Sequence, residues 1–138
     1  MSSSATILEP LYVIDTHALI WYLTNDRKLG KHASAVFAAA ENGDTQLIVS
    51  AIVIAEMYYA NVKHRWFANF PETFRALKSK PYFYFVDFSA DHSLEFELDA
   101  KVPEMHDRII TGLARRIGAP LLTSDPLIKA AKTVDIVW

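Results

Sequence analysis

The chain has 138 residues, a formal net charge of −2 and no cysteine. The lack of cysteine excludes disulfide bonds, thiolate metal sites and a thiol nucleophile, and the small net charge neither favours nor excludes a nucleic-acid partner. No apolar run approaches the roughly 20 residues that a membrane-spanning helix needs. We therefore expect a single domain over residues 1–138 located in the cytoplasm, with residues 1–9 as a flexible or loosely attached N-terminus.

Strands and helices are predicted to alternate along the first half of the chain. The predicted elements are a strand over 11–14, a helix from 16 or 17 to 23, a helix over 31–42 and a strand over 46–49. Ser50 is placed to cap a further helix from Ala51 to about His64. This helix is apolar on nearly every side, so we expect it to be deeply packed. Its one carboxylate, Glu56, would then be unfavourable unless it is paired or coordinates a cation.

The same alternation continues in the second half. The predicted elements are a helix over 71–80, a strand over 82–88, helices over 90–100 and 105–117, a strand over 120–123, a helix over 126–132 and a strand over 134–138. In the helix over 90–100, Leu94 and Leu98 are expected to face inward and most of the acids to face solvent. The order calls for an α/β fold with a mainly parallel sheet and helices on both faces, and the strand over 11–14 is expected at its centre.

Four acids that are distant in sequence are expected to converge at the carboxyl edge of this sheet. Asp15 and Asp125 each follow a strand. Asp107 opens a helix, and Glu56 lies on the apolar one. Carboxylates at close range repel unless cations bind between them. Hard oxygen ligands without a zinc-type His or Cys pattern suit Mg²⁺ or Mn²⁺, which promote hydrolysis of phosphodiester bonds.

Each acid also has a purely structural interpretation. A single Asp at a strand end more often forms a turn or a cap, and Asp125, which precedes Pro126, can simply cap the last helix. Asp107 can be a first-turn acid that the helix dipole favours. Glu56 has the weakest structural explanation because of its apolar surroundings. The joint pattern therefore carries more weight than any one residue.

Four blocks of sequence, taken together, resemble the PIN-domain family and most closely its VapC-type toxin ribonucleases. They are Val13–Trp21, Ser50–Glu56, His106–Ile110 and Leu121–Asp125, and Trp138 closes the final strand. The resemblance implies a three-layer sandwich with a mainly parallel central sheet, and a Mg²⁺- or Mn²⁺-dependent endoribonuclease. It also implies that the chain is the toxin of a type II toxin-antitoxin pair, forms a homodimer and is inhibited by a cognate antitoxin protein.

The resemblance also assigns residues by position. The family's acidic quartet, both metal-binding and catalytic, corresponds to Asp15, Glu56, Asp107 and Asp125. Thr123 matches a hydroxyl residue that orients a ligand or a water, and we assign the same kind of role to Thr16. His17 stands where many relatives have Asn, Ser or another small residue, so no role is inferred for this position.

The RNA substrate implied by the resemblance requires cations near the acidic quartet. They are predicted at Lys63, Arg65 and Arg108. Arg115 and Arg116 are expected instead to serve their own helix or a salt bridge. Tyr58 and Tyr59 can stack on bases or form a dimer or antitoxin surface, but core packing is the favoured interpretation.

Other classes of protein share this outline. A phosphate-accepting signalling domain has a similar size and topology, but it carries an acidic pair after its first strand and a lysine after its last. Here Asp15 is followed by Thr16 and His17, and residues 134–138 contain no lysine. An inactive interaction module is disfavoured because all four acids are present. Among nucleases, a non-toxin PIN-type RNA-processing enzyme or a DNA nuclease is the alternative.

Overall fold

The computed structural model describes residues 10–138, so the expectation for residues 1–9 lies outside the described residues. Its five strands are β1 (Leu11–Ile14), β2 (Gln46–Ser50), β3 (Phe83–Val86), β4 (Leu121–Leu122) and β5 (Ile136–Val137). They form one sheet in the order β3-β2-β1-β4-β5, and every neighbouring pair is parallel. Strand β1 is central, with Val13 opposite Ile48 on one side and Leu121 on the other. The predicted α/β fold with a parallel sheet is confirmed.

Helices cover both faces of this sheet. They are α1 (Thr16–Leu23), α2 (Lys31–Glu41), α3 (Ala51–His64), α4 (Phe70–Lys78), α5 (Met105–Ile117) and α6 (Pro126–Ala131), with a 3₁₀ helix at Ala90–Asp99. In β2, Leu47, Ile48 and Val49 are all buried. Because successive strand residues point to opposite faces, a run of three buried residues requires cover on both. No helix within residues 10–138 is long and apolar enough to cross a membrane.

The 3₁₀ helix Ala90–Asp99 corrects the expectation for its leucines. Leu94 and Leu98 are 83% and 65% exposed rather than inward-facing. A spacing of four residues aligns side chains on an α-helix, whereas a 3₁₀ helix has three residues per turn. Residues three apart therefore share its inner side: the Phe96 ring stacks on Phe88 with centroids 6.0 Å apart, and Asp99 is buried.

Asp99 is also an exception to the expectation that the acids of this segment face solvent. Its carboxylate accepts two hydrogen bonds from Arg115, Nε to Oδ1 at 3.0 Å and Nη2 to Oδ2 at 3.1 Å. Glu95 Oε1 lies 3.0 Å from Nη2 of Arg115 and 3.5 Å from Nη1 of Arg116. The salt-bridge role expected for the two arginines is confirmed, and it fixes the 3₁₀ helix against α5.

Helix α3 is not deeply packed, and this part of the prediction is wrong. Only Val53 and Met57, one helical turn apart, are buried. Tyr59 is 73% exposed, and Tyr58 and Val62 are also exposed, so core packing is wrong for both tyrosines. The apolar composition indicated burial, but the helix contacts the core through one stripe. The opposite side, which we call the outer face of α3 (Tyr58, Tyr59 and Val62), stays mostly exposed, and Tyr58 packs edge-on against Phe70.

Candidate active site

The four predicted acids line one cavity of about 500 Å³ at the carboxyl edge of the sheet, which we call the acidic cavity. Asp15 follows β1, and Asp125 lies in the loop after β4. Glu56 comes from the middle of α3 and Asp107 from the first turn of α5. Parallel strand direction and short helix connections account for the convergence. The structure thus brings the quartet together, and its roles as ligands and catalytic groups stay predictions.

Asp15 is the most buried acid of the cavity, and both of its carboxylate oxygens are held. Oδ1 accepts the Thr16 N–H at 2.7 Å, and Oδ2 accepts the Thr123 hydroxyl at 2.6 Å. Burial raises the pKa of Asp15, and the hydrogen bonds from Thr123 and Thr16 oppose that rise. The Thr123 oxygen also accepts the Asp125 N–H at 3.1 Å. One hydroxyl therefore orients Asp15 and the loop that carries Asp125.

Glu56 is half-buried, with 29% of its side chain exposed. Its charge is therefore less unfavourable than a deeply packed helix would make it. Its carboxylate is nevertheless held from two sides. The Thr16 hydroxyl donates to Oε1 at 2.5 Å, and Nδ1 of His106 lies 3.3 Å from Oε2. Both threonines that were predicted to orient the quartet, Thr16 and Thr123, contact its members.

Asp107 shows how much negative charge the cavity concentrates. Burial first, and then the carboxylates of Asp15, Asp125, Glu104 and Glu56, raise its pKa to about 7. A carboxyl group in this setting binds a proton at pH values where an exposed aspartate has lost it. The cavity therefore has a deficit of positive charge.

Asp125 has the structural role that was raised as an alternative. Its Oδ1 accepts the Leu127 N–H at 2.8 Å and caps the N-terminus of α6, where Pro126 occupies the first position. The carboxylate also lines the acidic cavity. Capping and cavity lining are compatible because the cap uses one of the two oxygens.

Glu104 is a fifth acid close to the quartet, and no role was predicted for it from the sequence. It caps α5, with Oε1 accepting the Asp107 N–H at 3.1 Å and Oε2 the His106 N–H at 3.0 Å. Oε2 also lies 3.2 Å from Nδ1 of His106, so the imidazole stands between Glu104 and Glu56. An acid directly before a predicted helix, three residues before Asp107, is a capping signal that identifies this residue.

The three predicted substrate cations occupy different surroundings. Lys63 is exposed on α3, and it follows Glu56 and Ala60 at helical spacing on the side that lines the acidic cavity. Arg65 lies just past α3 in a left-handed backbone conformation and is exposed. Arg108 donates from Nε to the Val102 carbonyl at 2.5 Å and from Nη2 to the Ala100 carbonyl at 3.2 Å. Its guanidinium therefore supports the segment before α5, which argues against the predicted substrate contact.

The residues of the acidic cavity fit a divalent cation. All four members of the quartet offer hard oxygen atoms, which is the donor type that Mg²⁺ and Mn²⁺ prefer. The raised pKa of Asp107 is the second observation, because a bound cation would offset both causes of the rise, the burial of the carboxyl and its repulsion by the neighbouring carboxylates. Glu104, His106 and Glu56 also place possible ligand atoms within 4.8 Å of one another. The short contacts of the imidazole with both carboxylates already account for that grouping.

Comparisons with known proteins agree with this geometry. The sequence profile described as "PIN domain" matches residues 12–133. No curated protein matches the chain significantly. Solved structures with a similar fold include VapBC2 from Rickettsia felis bound to a DNA fragment from its promoter (TM-score 0.65, 20% identity, 91% of this chain and 96% of that chain).

Two further structures are similar over most of their length. One is a toxin-antitoxin complex from Klebsiella pneumoniae (TM-score 0.64, 21% identity, 89% of this chain and 94% of that chain). The other is a sarcin-ricin loop cleaving toxin from Mycobacterium tuberculosis (TM-score 0.68, 14% identity, 92% of this chain and 99% of that chain). At these identities the likeness shows a shared fold.

Proposed function

Since the chain belongs to the PIN-domain family, we propose that it is a divalent-metal-dependent endoribonuclease that hydrolyses RNA phosphodiester bonds. The observation that carries this proposal is the acidic cavity, in which carboxylates from four separate chain segments meet. We also propose that the protein is the toxin of a type II toxin-antitoxin pair and acts in the cytoplasm. The similar fold of the Klebsiella pneumoniae toxin-antitoxin complex supports this more specific assignment.

The proposed ligands of Mg²⁺ or Mn²⁺, and the proposed catalytic acids, are Asp15, Glu56, Asp107 and Asp125. When bound, the cation would supply positive charge that offsets the developing charge on the phosphate and makes a water more acidic. The chain's own contribution is to hold the ligand atoms in place. Thr123 fixes Asp15 and the loop that carries Asp125, while Thr16 and His106 fix Glu56.

Substrate phosphates need positive charge beside the acidic cavity. Lys63 is the predicted cation best placed to supply it, because Glu56, Ala60 and Lys63 share one side of α3. Arg65, one step beyond the helix, is the second proposed phosphate contact. The side chains of Lys63 and Arg65 are exposed and can move toward an RNA strand that lies along α3.

The proposed partners are a cognate antitoxin protein and a second copy of this chain. We assign the second copy to the outer face of α3. That face is apolar and carries no charge among Tyr58, Tyr59 and Val62. An uncharged patch can face itself across a two-fold axis without repulsion between like charges. Exposed aromatic residues of this kind are also enriched at protein interfaces.

The test of the proposed activity is a cleavage assay with the purified protein. Single-stranded RNA and single-stranded DNA of the same sequence are incubated with Mg²⁺, with Mn²⁺ and with EDTA. We expect cleavage of RNA in either metal and none in EDTA. Cleavage that persists in EDTA would contradict the mechanism, and preferential cleavage of DNA would favour the DNA-nuclease alternative.

Matched variants separate chemistry from folding. Asp15→Asn and Asp107→Asn are expected to lose cleavage while keeping the native circular dichroism spectrum. Asp87→Asn is the control, because Asp87 also follows a strand but is exposed and lies outside the acidic cavity. Unchanged cleavage by either cavity variant would remove that residue from the proposed site.

A growth assay distinguishes a toxin from an RNA-processing enzyme. We expect expression of the protein to arrest growth, and co-expression of the neighbouring reading frame to relieve the arrest.

A further inference from the structure

We propose that Trp21 is a stacking platform for one nucleobase of the substrate strand, and that Arg27 and Lys28 bind a phosphate flanking that base. This role rests on the proposed RNA-cleaving function. It extends the site along α1, away from Lys63 on α3 and Arg65 just past that helix. The ligand class is a single-stranded nucleic acid segment that continues from the acidic cavity.

Trp21 forms a wall shared by two cavities. On one side it lines the acidic cavity together with Asp15, Thr16 and His17. On the other it lines a second cavity of about 450 Å³, to which the loop between α1 and α2 contributes Arg27. A strand whose phosphate lies at the carboxylates, and which continues along α1, must therefore pass the indole.

The distances along α1 suit a neighbouring nucleotide. Thr16, which holds Glu56, and Trp21 are five residues apart on one helix, about 7.5 Å at ~1.5 Å per residue. His17 lies one turn before Trp21 on the same side of the helix, and the two ring centroids are 5.4 Å apart. Both rings line the acidic cavity, close to the position that the next base of the RNA strand would take.

The indole is held in place while part of its surface stays accessible. Trp138 packs edge-on against it with ring centroids 5.8 Å apart. The Trp21 carbonyl accepts the Asp26 N–H at 2.9 Å, which fixes the end of the helix. The Trp21 side chain is half-buried. A ring that is already ordered loses little entropy when a base stacks on it, and aromatic stacking accepts every base.

Two basic residues, Arg27 and Lys28, lie near the indole of Trp21. The ammonium of Lys28 lies 5.6 Å from the centre of the Trp21 ring, and Arg27 lines the second cavity. The second cavity also contains two carboxylates that accept hydrogen bonds from this chain: Asp26 accepts the Lys28 N–H at 2.9 Å, and Glu41 accepts the Tyr22 hydroxyl. Within residues 10–138, neither Arg27 nor Lys28 forms an ion pair. Both cations are therefore available for a phosphate.

The first experiment measures RNA binding without cleavage. Fluorescence anisotropy of a short single-stranded RNA is followed in the Asp107→Asn background, with Trp21→Leu, Trp21→Phe or Lys28→Gln added. Trp21→Leu is expected to weaken binding roughly ten-fold or more, and Trp21→Phe to keep most of the affinity, because base stacking needs the ring. Lys28→Gln is expected to weaken binding and to reduce the slope of log affinity against log salt by about one.

Tyr84→Leu is the matched control, because Tyr84 is an exposed aromatic on the edge strand β3. It should bind as tightly as the parent, the Asp107→Asn protein.

A second measurement requires no change at Trp21: the fluorescent base 2-aminopurine is placed at each position of the RNA in turn. Its fluorescence should be quenched at one position when the parent binds, and Trp21→Leu should restore it. This measurement stays decisive for the parent even if Trp21→Leu fails to fold.

The outcomes separate this proposal from the proposed function. If the unmodified protein cuts the RNA but no 2-aminopurine position is quenched, the platform is overturned and the nuclease stands. The platform is equally overturned if Trp21→Leu folds and binds as tightly as the parent. If quenching depends on Trp21 but the unmodified protein cuts no RNA, the platform stands and the nuclease is overturned. An RNA that is neither bound nor cut overturns both.

Discussion

Asp107 combines partial burial with repulsion by the other carboxylates of the acidic cavity. Burial and the neighbouring carboxylates raise its pKa to about 7, whereas an unfolded chain loses that proton near pH 4. Between these values the folded protein binds more protons than the unfolded chain. The contribution of Asp107 to the free energy of unfolding of the metal-free protein therefore falls as pH rises from about 4 to about 7, and then levels off.

Asp107→Asn removes this repulsion. In EDTA at pH 8 the variant is expected to be more stable than the unmodified protein by on the order of 1 kcal/mol, a value that allows for solvent screening at a half-buried site. The gain should be absent near pH 3, where the carboxyl is protonated in both the folded and the unfolded state. Thermal unfolding at both pH values measures it. Asp87→Asn is the control, and equal stability of Asp107→Asn and the unmodified protein at pH 8 would contradict the prediction.

Thr123 provides a second prediction at this scale. Thr123→Val removes the hydroxyl that donates to Asp15 and accepts from the Asp125 N–H. Loss of such an orienting contact is expected to weaken metal binding and cleavage by about 10- to 100-fold. The pKa of Asp15 should rise further, because burial is then less opposed. The pH midpoint of Mg²⁺-dependent thermal stabilisation should consequently move upward.

Thr123→Ser is the matched control, since it keeps the hydroxyl and removes one methyl group. It should retain the pH midpoint and most of the activity. A merely structural role for Thr123 would lower stability in both variants and leave the midpoint where it is.

At the scale of elements, local signals explain what was predictable. Ser50 caps α3, and Asp125 with Pro126 begins α6, both as the sequence indicates. These signals depend only on neighbouring backbone groups. The convergence of the four acids was also predictable, because it follows from parallel strand order rather than from side-chain detail.

What the sequence could not supply is the set of tertiary partners. The apolar composition of α3 predicts burial, but it does not state whether this chain or another molecule provides the cover. Leu94 and Leu98 fit an α-helical pattern that the 3₁₀ geometry overrides. Glu104 was not predicted as a cap because its capping role depends on where α5 begins.

The ion pair between Asp99 and Arg115 is expected to hold the 3₁₀ helix against α5. Asp99→Asn leaves the Arg115 guanidinium without its buried counter-charge, and we expect a loss of about 2–3 kcal/mol in the free energy of unfolding. Urea denaturation measures the loss. Hydrogen exchange should rise first within residues 90–99. Asp91→Asn, at an exposed acid of the same helix, is the control, and an equal effect of both substitutions would contradict a specific role for the ion pair.

For the whole molecule, the outer face of α3 is the surface through which we expect two copies of the chain to form a dimer. Two exposed tyrosines and a valine, Tyr58, Tyr59 and Val62, lie together on this face, and exposed aromatic residues are enriched at interaction surfaces. We expect the purified protein to sediment at about twice its chain mass of 15.6 kDa. Tyr59→Glu places like charges opposite each other across the proposed two-fold axis, so it should yield a monomer.

Sedimentation equilibrium over a range of concentrations, with circular dichroism as the folding check, measures this outcome. Tyr84→Glu is the matched control, because it adds the same charge at an exposed tyrosine on β3. Tyr59 contacts the ring of Tyr58 but is itself mostly exposed, so its replacement should leave the fold intact. An unmodified protein that is monomeric, or a Tyr59→Glu variant that is still dimeric, would contradict the assignment. If that variant is dimeric but no longer binds the product of the neighbouring reading frame, the outer face of α3 belongs to the antitoxin instead.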